Sequence, residues 1–482
     1  MIGLKNCRCP EIKQGVNKKI FQLAFKENIE SFDPVNCVDE TSGIVLNLLH
    51  RNLYTTSVDG RLINDLAETQ YSNYNSVFLT IRQGVYFNQA EKLELTAEDV
   101  VFCLNRLKES GRQPWVLDKI ISIEVVGRYA VKFTLNGLAD SIWNRQKYLF
   151  NLPQTAIYSK DNFLKKNIFT GASAFSITDY KPEKLQITST SGSVLNYSII
   201  PSEASQWFYY QRSKLDVYQA DGVFQYLSNE KNTYQKKNRI EPIVIYGAIV
   251  ADQNSMLNNR ELRRALNFKM DRKNLAEKVL LDSCQSADYP VPDILGEPMP
   301  EMYSFDENGK CPVSNAQINA NEVVQIYSPA DRDRQLIARV IKNVLGECGI
   351  QSRIKVVDLP TLIKINNERK NGIYILKWIA DYPHAENFLI PLFHSRNAGS
   401  GGNRSYYENA QLDYILDHQN IDSGNLAQIQ NIIRQDAPWI FIGFSKKVYY
   451  VNKEKNIQLP VMYTGWNEDV FERAPDQPPS VN

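Results

Sequence analysis

What this 482-residue sequence lacks removes most functional classes at once. It carries 55 Lys+Arg against 54 Asp+Glu, a formal net charge of +1, so it has no surplus of basic residues to build a nucleic-acid-binding face. Its best apolar stretches, Ile44–Leu49 and Trp439–Phe444, fall far short of the ~18 residues that span a bilayer. Histidine occurs only at His50, His384, His394 and His418. His384 and His394 lie near Asp381 and Glu386, but the spacing matches no standard metal-ligand set, and a hydrogen-bonded or surface histidine is the better reading. Asp381 and Glu386 as paired acids for glycoside hydrolysis would need a separation that nothing in the sequence fixes. There is no GxSxG elbow, no HExxH, no Walker loop and no dinucleotide GxGxxG. Gly399-Ser400-Gly401-Gly402 runs on into Asn403-Arg404, which does not continue a phosphate-binding pattern. An enzyme reading has little to stand on.

Cysteine is also sparse. Seven residues (Cys7, Cys9, Cys37, Cys103, Cys284, Cys311, Cys348) are too few and too scattered for a disulfide scaffold, and none forms a CxxC pair. Cys103 falls on the apolar face of a helix and reads as a buried thiol. Cys284 and Cys311 flank a Pro-rich loop, where an oxidising compartment would allow a bridge. Met1–Cys9 lacks the apolar core of a secretory signal, so either the protein is cytoplasmic or the signal has been removed from this chain. Leu4-Lys5-Asn6-Cys7 is a poor lipoprotein cleavage site and leaves lipidation at Cys7 open.

What is present is ordinary globular material, 43% hydrophobic and 23% charged, with length for about three domains or a two-lobed body. The 26 Tyr against 20 Phe suggest half-wet surfaces such as a ligand cleft, or simply core. Alternation predicts strands over Lys19–Phe25, Tyr74–Ile81, Val85–Phe87, Ile121–Val126 and Ala130–Leu135, and over four segments between Phe175 and Ala248. A helix capped by Thr96, with Asp99 in its first turn, presents Val100, Val101, Leu104 and Leu107 as its buried stripe. Val323–Tyr327, Arg332–Glu347 and Ser352–Val357 make a strand–helix–strand unit whose helix is ended by Gly349, which implies parallel strands in this half.

Order across the chain carries more than any single motif. Leu95-Thr96-Ala97-Glu98-Asp99-Val100-Val101-Phe102-Cys103-Leu104-Asn105-Arg106-Leu107 resembles the "LTAEDVVFSLNRL" signature of the extracellular solute-binding proteins of family 5, the oligopeptide/dipeptide-binding receptors of ABC importers. Upstream, Leu53-Tyr54, Asp59-Gly60, Asp65-Leu66-Ala67 and Ile81–Phe87 resemble that family's opening run. Downstream, Arg260–Asn267 with Met270-Asp271-Arg272 is similar to "RVRQALNYAIDR", and Pro290-Val291-Pro292 to its "PVP" loop. Trp378–Pro383, Asn387-Phe388-Leu389, Leu392-Phe393 and Gly399–Asn403 resemble "W.ADYPDP.NFL..LF…GSGGN". Together these blocks cover roughly residues 20–450 in the family's order. The departures are Gly171-Ala172-Ser173-Ala174-Phe175 for "GTGPY", Lys377 for a Gly, His384-Ala385 for an acid–Pro pair, and Ile375 where some receptors place an Arg.

The resemblance implies an α/β fold of the periplasmic-binding-protein type II-like kind (cluster C), two lobes with a hinge plus an extra domain in the first lobe. It puts an N-terminal tail at 1–18, the first lobe at 19–44 with 165–244 and 446–482, the extra domain at 45–164 and the second lobe at 245–445. It further implies a non-catalytic, monomeric receptor of the periplasm or cell envelope, without cofactor or metal, that closes on a peptide and hands it to permease subunits. Asp381 aligns with the acid that meets a ligand's α-ammonium, or else anchors a loop. Trp378 is either a flat wall or core, Ala380 follows on the same segment, and Phe32 and Asp33 supply the matching segment of the first lobe. Lys377 or Arg404 would replace the missing Arg as carboxylate partner, or is simply exposed, and Trp115 stands at the cleft edge or packs inside. The same family also holds binders of glutathione, haem, nickel chelates and oligosaccharides, and receptors that signal or chaperone without transport.

Overall fold

The computed structural model describes residues 19–88, 92–164, 170–220, 222–228, 231–308, 322–419, 421, 424–461, 465–467 and 469–472. The chain divides into two compact units. One comprises the described residues up to Ala220, Leu227–Lys237, and those from Val448 onward; the other is Asn238–Lys447 with the short stretch 221–226. The boundary falls inside the two long strands Tyr234–Val250 and Trp439–Asn452.

In the first unit, Ile20–Phe25 alternates out and in, burying Phe21, Leu23 and Phe25. It runs parallel to Val194–Ile199, which pairs antiparallel with Lys184–Ser189, and that strand with Phe175–Lys181. Ile44, Val45, Leu48 and Leu49 of helix Glu40–Leu49 close this core, and the Asp39 side chain caps the helix by accepting from Ser42 N at 2.7 Å. A second, four-stranded antiparallel sheet runs in the order Ala67–Asn73, Ser76–Ile81, Ala130–Leu135, Ile120–Gly127. Helix Ala97–Glu109 packs on it, opened by the Thr96/Asp99 capping box. It buries Val100, Cys103, Leu104 and Leu107; Val101 sits only half-buried at the stripe's edge.

Tyr74–Ile81 and Val85–Phe87, both expected as strands from their alternation and paired around Arg82-Gln83-Gly84, do not form a hairpin. Gly84 has φ +72° and turns the chain away, and only Tyr86 makes an isolated bridge, to Glu94. The true partner of Ser76–Ile81 is Ala67–Asn73, whose AETQYSN sequence is exposed along most of its length and so carries no apolar alternation to reveal it.

In the second unit, Val324–Ser328 lies between two parallel neighbours, Ser352–Val356 and Gly372–Ile379. Helix Arg332–Glu347, capped by Asp331 and stopped before Gly349 at φ +71°, connects the first pair, as its sequence predicts. Gly372–Ile379 then pairs antiparallel with Ile243–Val250. The core gathers Ile245, Ile249, Leu262, Leu266, Ile326, Ile337, Ile341, Ile373, Ile375 and Ile440. Asp271 caps a single turn, Arg272–Asn274, which widens into an i→i+5 turn over Leu275–Val279, where the sequence from Asp271 to Leu280 is expected to form one helix.

Buried polar chemistry holds this unit. Arg434 and Asp288 pair at 2.9 Å with 1% exposure each, and Asp288 also accepts from Met302 N and Tyr303 N. Arg272 is buried and donates to Phe441 O, Asn267 O and Tyr303 O. Charges buried this deeply are tolerated because an opposite charge or a set of oxygen acceptors replaces the lost water.

Tyr210, Tyr218, Tyr234, Tyr246, Tyr303, Tyr374 and Tyr450 are all under 2% exposed, so much of the tyrosine surplus is core. Cys284 is a free buried thiol, which overturns the bridge expected between it and Cys311; Cys311 itself, with Cys7 and Cys9, lies outside the described residues. The short strand Cys284–Ser286 turns the Cys284 side chain into the core beside Leu280, which is why proximity to the Pro-rich loop misled. Cys348 is disulfide-bonded. Cys37 and Cys103 are free and buried. Among the described residues no helix is long and apolar enough to cross a membrane.

Candidate functional site

The expected site residues fall into two groups, one in each unit. In the first unit, Ser31–Pro34 leads into a short helical turn, Pro34–Asn36. Ser42 Oγ accepts from Glu30 N at 3.0 Å and Ser31 N at 3.2 Å, fastening the segment to helix Glu40–Leu49. Asp33 caps the turn, accepting from Val35 N at 3.2 Å. Its carboxylate also takes a two-pronged bond from Arg106, with Nη1 at 2.7 Å from Oδ1 and Nη2 bonded to Oδ2. Asp33 is therefore committed inside its own unit and holds the segment in place. Phe32 is half-buried, edge-on to Tyr180 at 5.0 Å.

Arg106 is the residue that inspection of the sequence passed over. It stands in the last turn of the signature helix, donates to Tyr158 Oη at 2.7 Å and lies 4.1 Å over the Phe163 ring. Burial alone would lower its pKa, but the bonds to Asp33 and Tyr158 outweigh that and hold the guanidinium firmly protonated. Trp115 is half-buried in the turn Pro114–Val116. Gln113, entering that turn at φ +49°, donates to Cys37 O at 2.8 Å, so the Trp115 turn is tied to the chain just after Asp33.

In the second unit, Lys377, Trp378, Ala380 and Asp381 follow one another at the end of strand Gly372–Ile379. Asn387, 6% exposed in helix Glu386–Phe393, fixes two of them: its carbonyl accepts from Trp378 Nε1 at 2.8 Å, and its Oδ1 accepts from Asp381 N at 2.9 Å. The Asn of the "NFL" block was the available signal for this clamp. Ala380 is buried, and its N–H donates to Pro242 O at 3.0 Å. Asp381 and Trp378 are half-buried.

The Lys377 side chain is half-buried and makes no hydrogen bond or ion pair with any described residue. It lies near enough to Cys284 to oppose the burial that pushes that thiol up to about 12. Arg404 stands apart, with Nη1 donating to Asn367 Oδ1 at 2.7 Å and its carbonyl accepting from Asn366 at 2.8 Å. Burial lowers its pKa somewhat. Ile375 is fully buried in the core, so no cation stands at that position.

His384 accepts from Glu386 N at 3.3 Å, and burial lowers its pKa. His394 accepts from Arg396 N at 3.2 Å between Asp413 and Asp417. Among the described residues no group of three or more His, Cys, Asp and Glu is arranged to hold a metal.

Residues 61–400 match the model of the bacterial extracellular solute-binding proteins, family 5 (middle region). The chain is 22% identical over 484 residues to the probable D,D-dipeptide-binding periplasmic protein DdpA of Escherichia coli, covering 92% of each. Among solved structures it superimposes on HbpA2 from Haemophilus parasuis with a TM-score of 0.78 at 20% identity, over 91% of this chain and 96% of that one. The unliganded open form of MppA, a periplasmic murein tripeptide binding protein, gives 0.77 at 18% identity over 94% and 96%. These likenesses place the chain in the α/β, type II-like periplasmic-binding-protein fold.

Proposed function

The chain belongs to the bacterial extracellular solute-binding proteins of family 5, and from that premise we propose that it is the receptor of an ABC importer. It captures oligopeptides or dipeptides and delivers them to permease subunits, works in the periplasm or cell envelope as a monomer, and catalyses nothing. The observation that carries this reading is the segment Lys377–Asp381 at one strand end, a cation whose side chain has no partner among the described residues and, four residues on, a carboxylate whose main chain Asn387 holds. The two charges match the two ends of a short peptide. In this reading Asp381 meets the α-ammonium, Lys377 takes the carboxylate, and Trp378 and Phe32 provide apolar walls. Asp33 serves by holding the Phe32 segment, and Ala380 by spacing Trp378 from Asp381. Arg404 and Trp115 act at the periphery.

The peptide-binding names of the relatives support the ligand class, and the disulfide at Cys348 fits an oxidising compartment. Titration of ligand-stripped protein with D-Ala-D-Ala, tri- and tetrapeptides and their N-acetylated forms tests the assignment. Asp381→Asn should weaken free peptides by at least tenfold and N-acetylated ones little. Equal losses for both would remove Asp381 from that role.

A further inference from the structure

The first unit also holds a cavity of about 290 Å³ that none of Phe32, Asp33 or Trp115 lines. Its wall is polar and includes His50, Arg51, Asp65, Arg82, Ser173 and Asp469. His50 is only 3% exposed, yet neither ring nitrogen has a hydrogen-bond partner among the described residues. Burial, opposed in part by Asp33, lowers its pKa to about 4, so at neutral pH the ring offers one N–H and one lone pair. Buried polar groups are nearly always satisfied, and one left unmet costs roughly 1–3 kcal/mol.

Arg82 is the second observation. Its Nε donates to Asp65 O at 3.2 Å, and its two terminal nitrogens make no bond to any described residue. The Asp65 carboxylate is turned to other donors, accepting from Arg51 Nε at 2.7 Å and Asn52 N at 3.2 Å.

We propose that this cavity is a second binding site, for a small organic monoanion whose carboxylate meets the Arg82 fork and whose neighbouring hydroxyl or amide bonds His50. Bidentate geometry is what a guanidinium offers a carboxylate. The volume stands at the lower end of small-molecule pockets, about 300–1,000 Å³, which limits the guest to roughly amino-acid size. With Asp65 balanced by Arg51, and Asp469 also on the wall, a polyanion is disfavoured.

The test is calorimetric titration of the whole chain, in chloride buffer, with L-lactate, N-acetylglycine and acetate. Saturable binding of lactate is expected, weakened at least tenfold in Arg82→Gln and less in Arg82→Lys. His50→Gln should weaken lactate but not acetate, which has no hydroxyl to lose. Peptide titration of the same variants gives an independent readout and should be unchanged. Absence of saturable binding by both lactate and N-acetylglycine, or equal lactate affinity in Arg82→Gln and wild type, overturns the proposal whatever the peptides do.

Discussion

Removing the Asp33–Arg106 pair should loosen the Phe32 segment and leave the signature helix standing. The pair is mostly enclosed, with side-chain exposures of 14% for Asp33 and 24% for Arg106. Unit charges 4 Å apart attract by about 4 kcal/mol at an effective dielectric of 20, before desolvation is subtracted. Exposed pairs are worth about 0–1 kcal/mol, and breaking a fully buried one costs about 3–5. This pair lies between those limits, so Arg106→Met should cost about 2 kcal/mol. The methionine keeps the stem packed near Phe163, which isolates the charge. Asp33→Asn keeps an acceptor for Val35 N and should cost about 1–2 kcal/mol. The double variant should lose about 1.5 kcal/mol less than the sum, because each single change already removes the shared bond.

Urea unfolding of the four proteins gives the cycle. Amide exchange at Asn36 and Cys37, which bond to Asp33 O at 2.9 Å and Pro34 O at 3.0 Å, reads the segment directly. Losses that add to within about 0.5 kcal/mol would refute the claim that Arg106 positions Asp33.

Other expectations follow from the same structure. His50 has a folded pKa of about 4 against an ordinary 6.5, so the unfolded chain binds its proton more readily. Its contribution is complete above about pH 6.5 and declines as pH falls towards 4, by about 3 kcal/mol in all; urea midpoints of wild type and His50→Gln should converge on acidification, and parallel curves would contradict this. Asn387→Leu should leave urea stability within about 2 kcal/mol of wild type while lowering affinity for free peptides several-fold, since it removes the side-chain acceptor of Asp381 N and keeps the main-chain bond to Trp378; unchanged affinity would show that the Asp381 bond is irrelevant to binding. Gly171→Ala drives a Cβ into Leu49 O, a backbone atom with nowhere to move, and should cost about 3 kcal/mol or more by urea unfolding; a neutral result would mean this passage is not as tight as described.

Most of the framework was readable from the residues. The cap at Thr96 with Asp99 and the apolar spacing of Arg332–Glu347 are local signals, and those elements form as written. Ala67–Asn73 was hidden because an edge strand exposed along most of its length needs no alternation; its place is set by pairing to Ser76–Ile81. Ordered motifs named the family and marked Trp378–Asp381. They did not reveal that Asp33 is consumed by Arg106, 73 positions away, or that Asn387 fastens the second segment. Such pairings depend on tertiary geometry and leave no periodic trace. The cavity behind His50 is of the same kind, assembled from helix end, loops and strand.

The most direct test of peptide capture is native mass spectrometry of the freshly purified protein, followed by denaturation and identification of whatever it releases. The account predicts a set of short peptides of similar length, lost in Asp381→Asn. Release of a single defined species, such as glutathione, haem or a nickel chelate, in place of that set would contradict it.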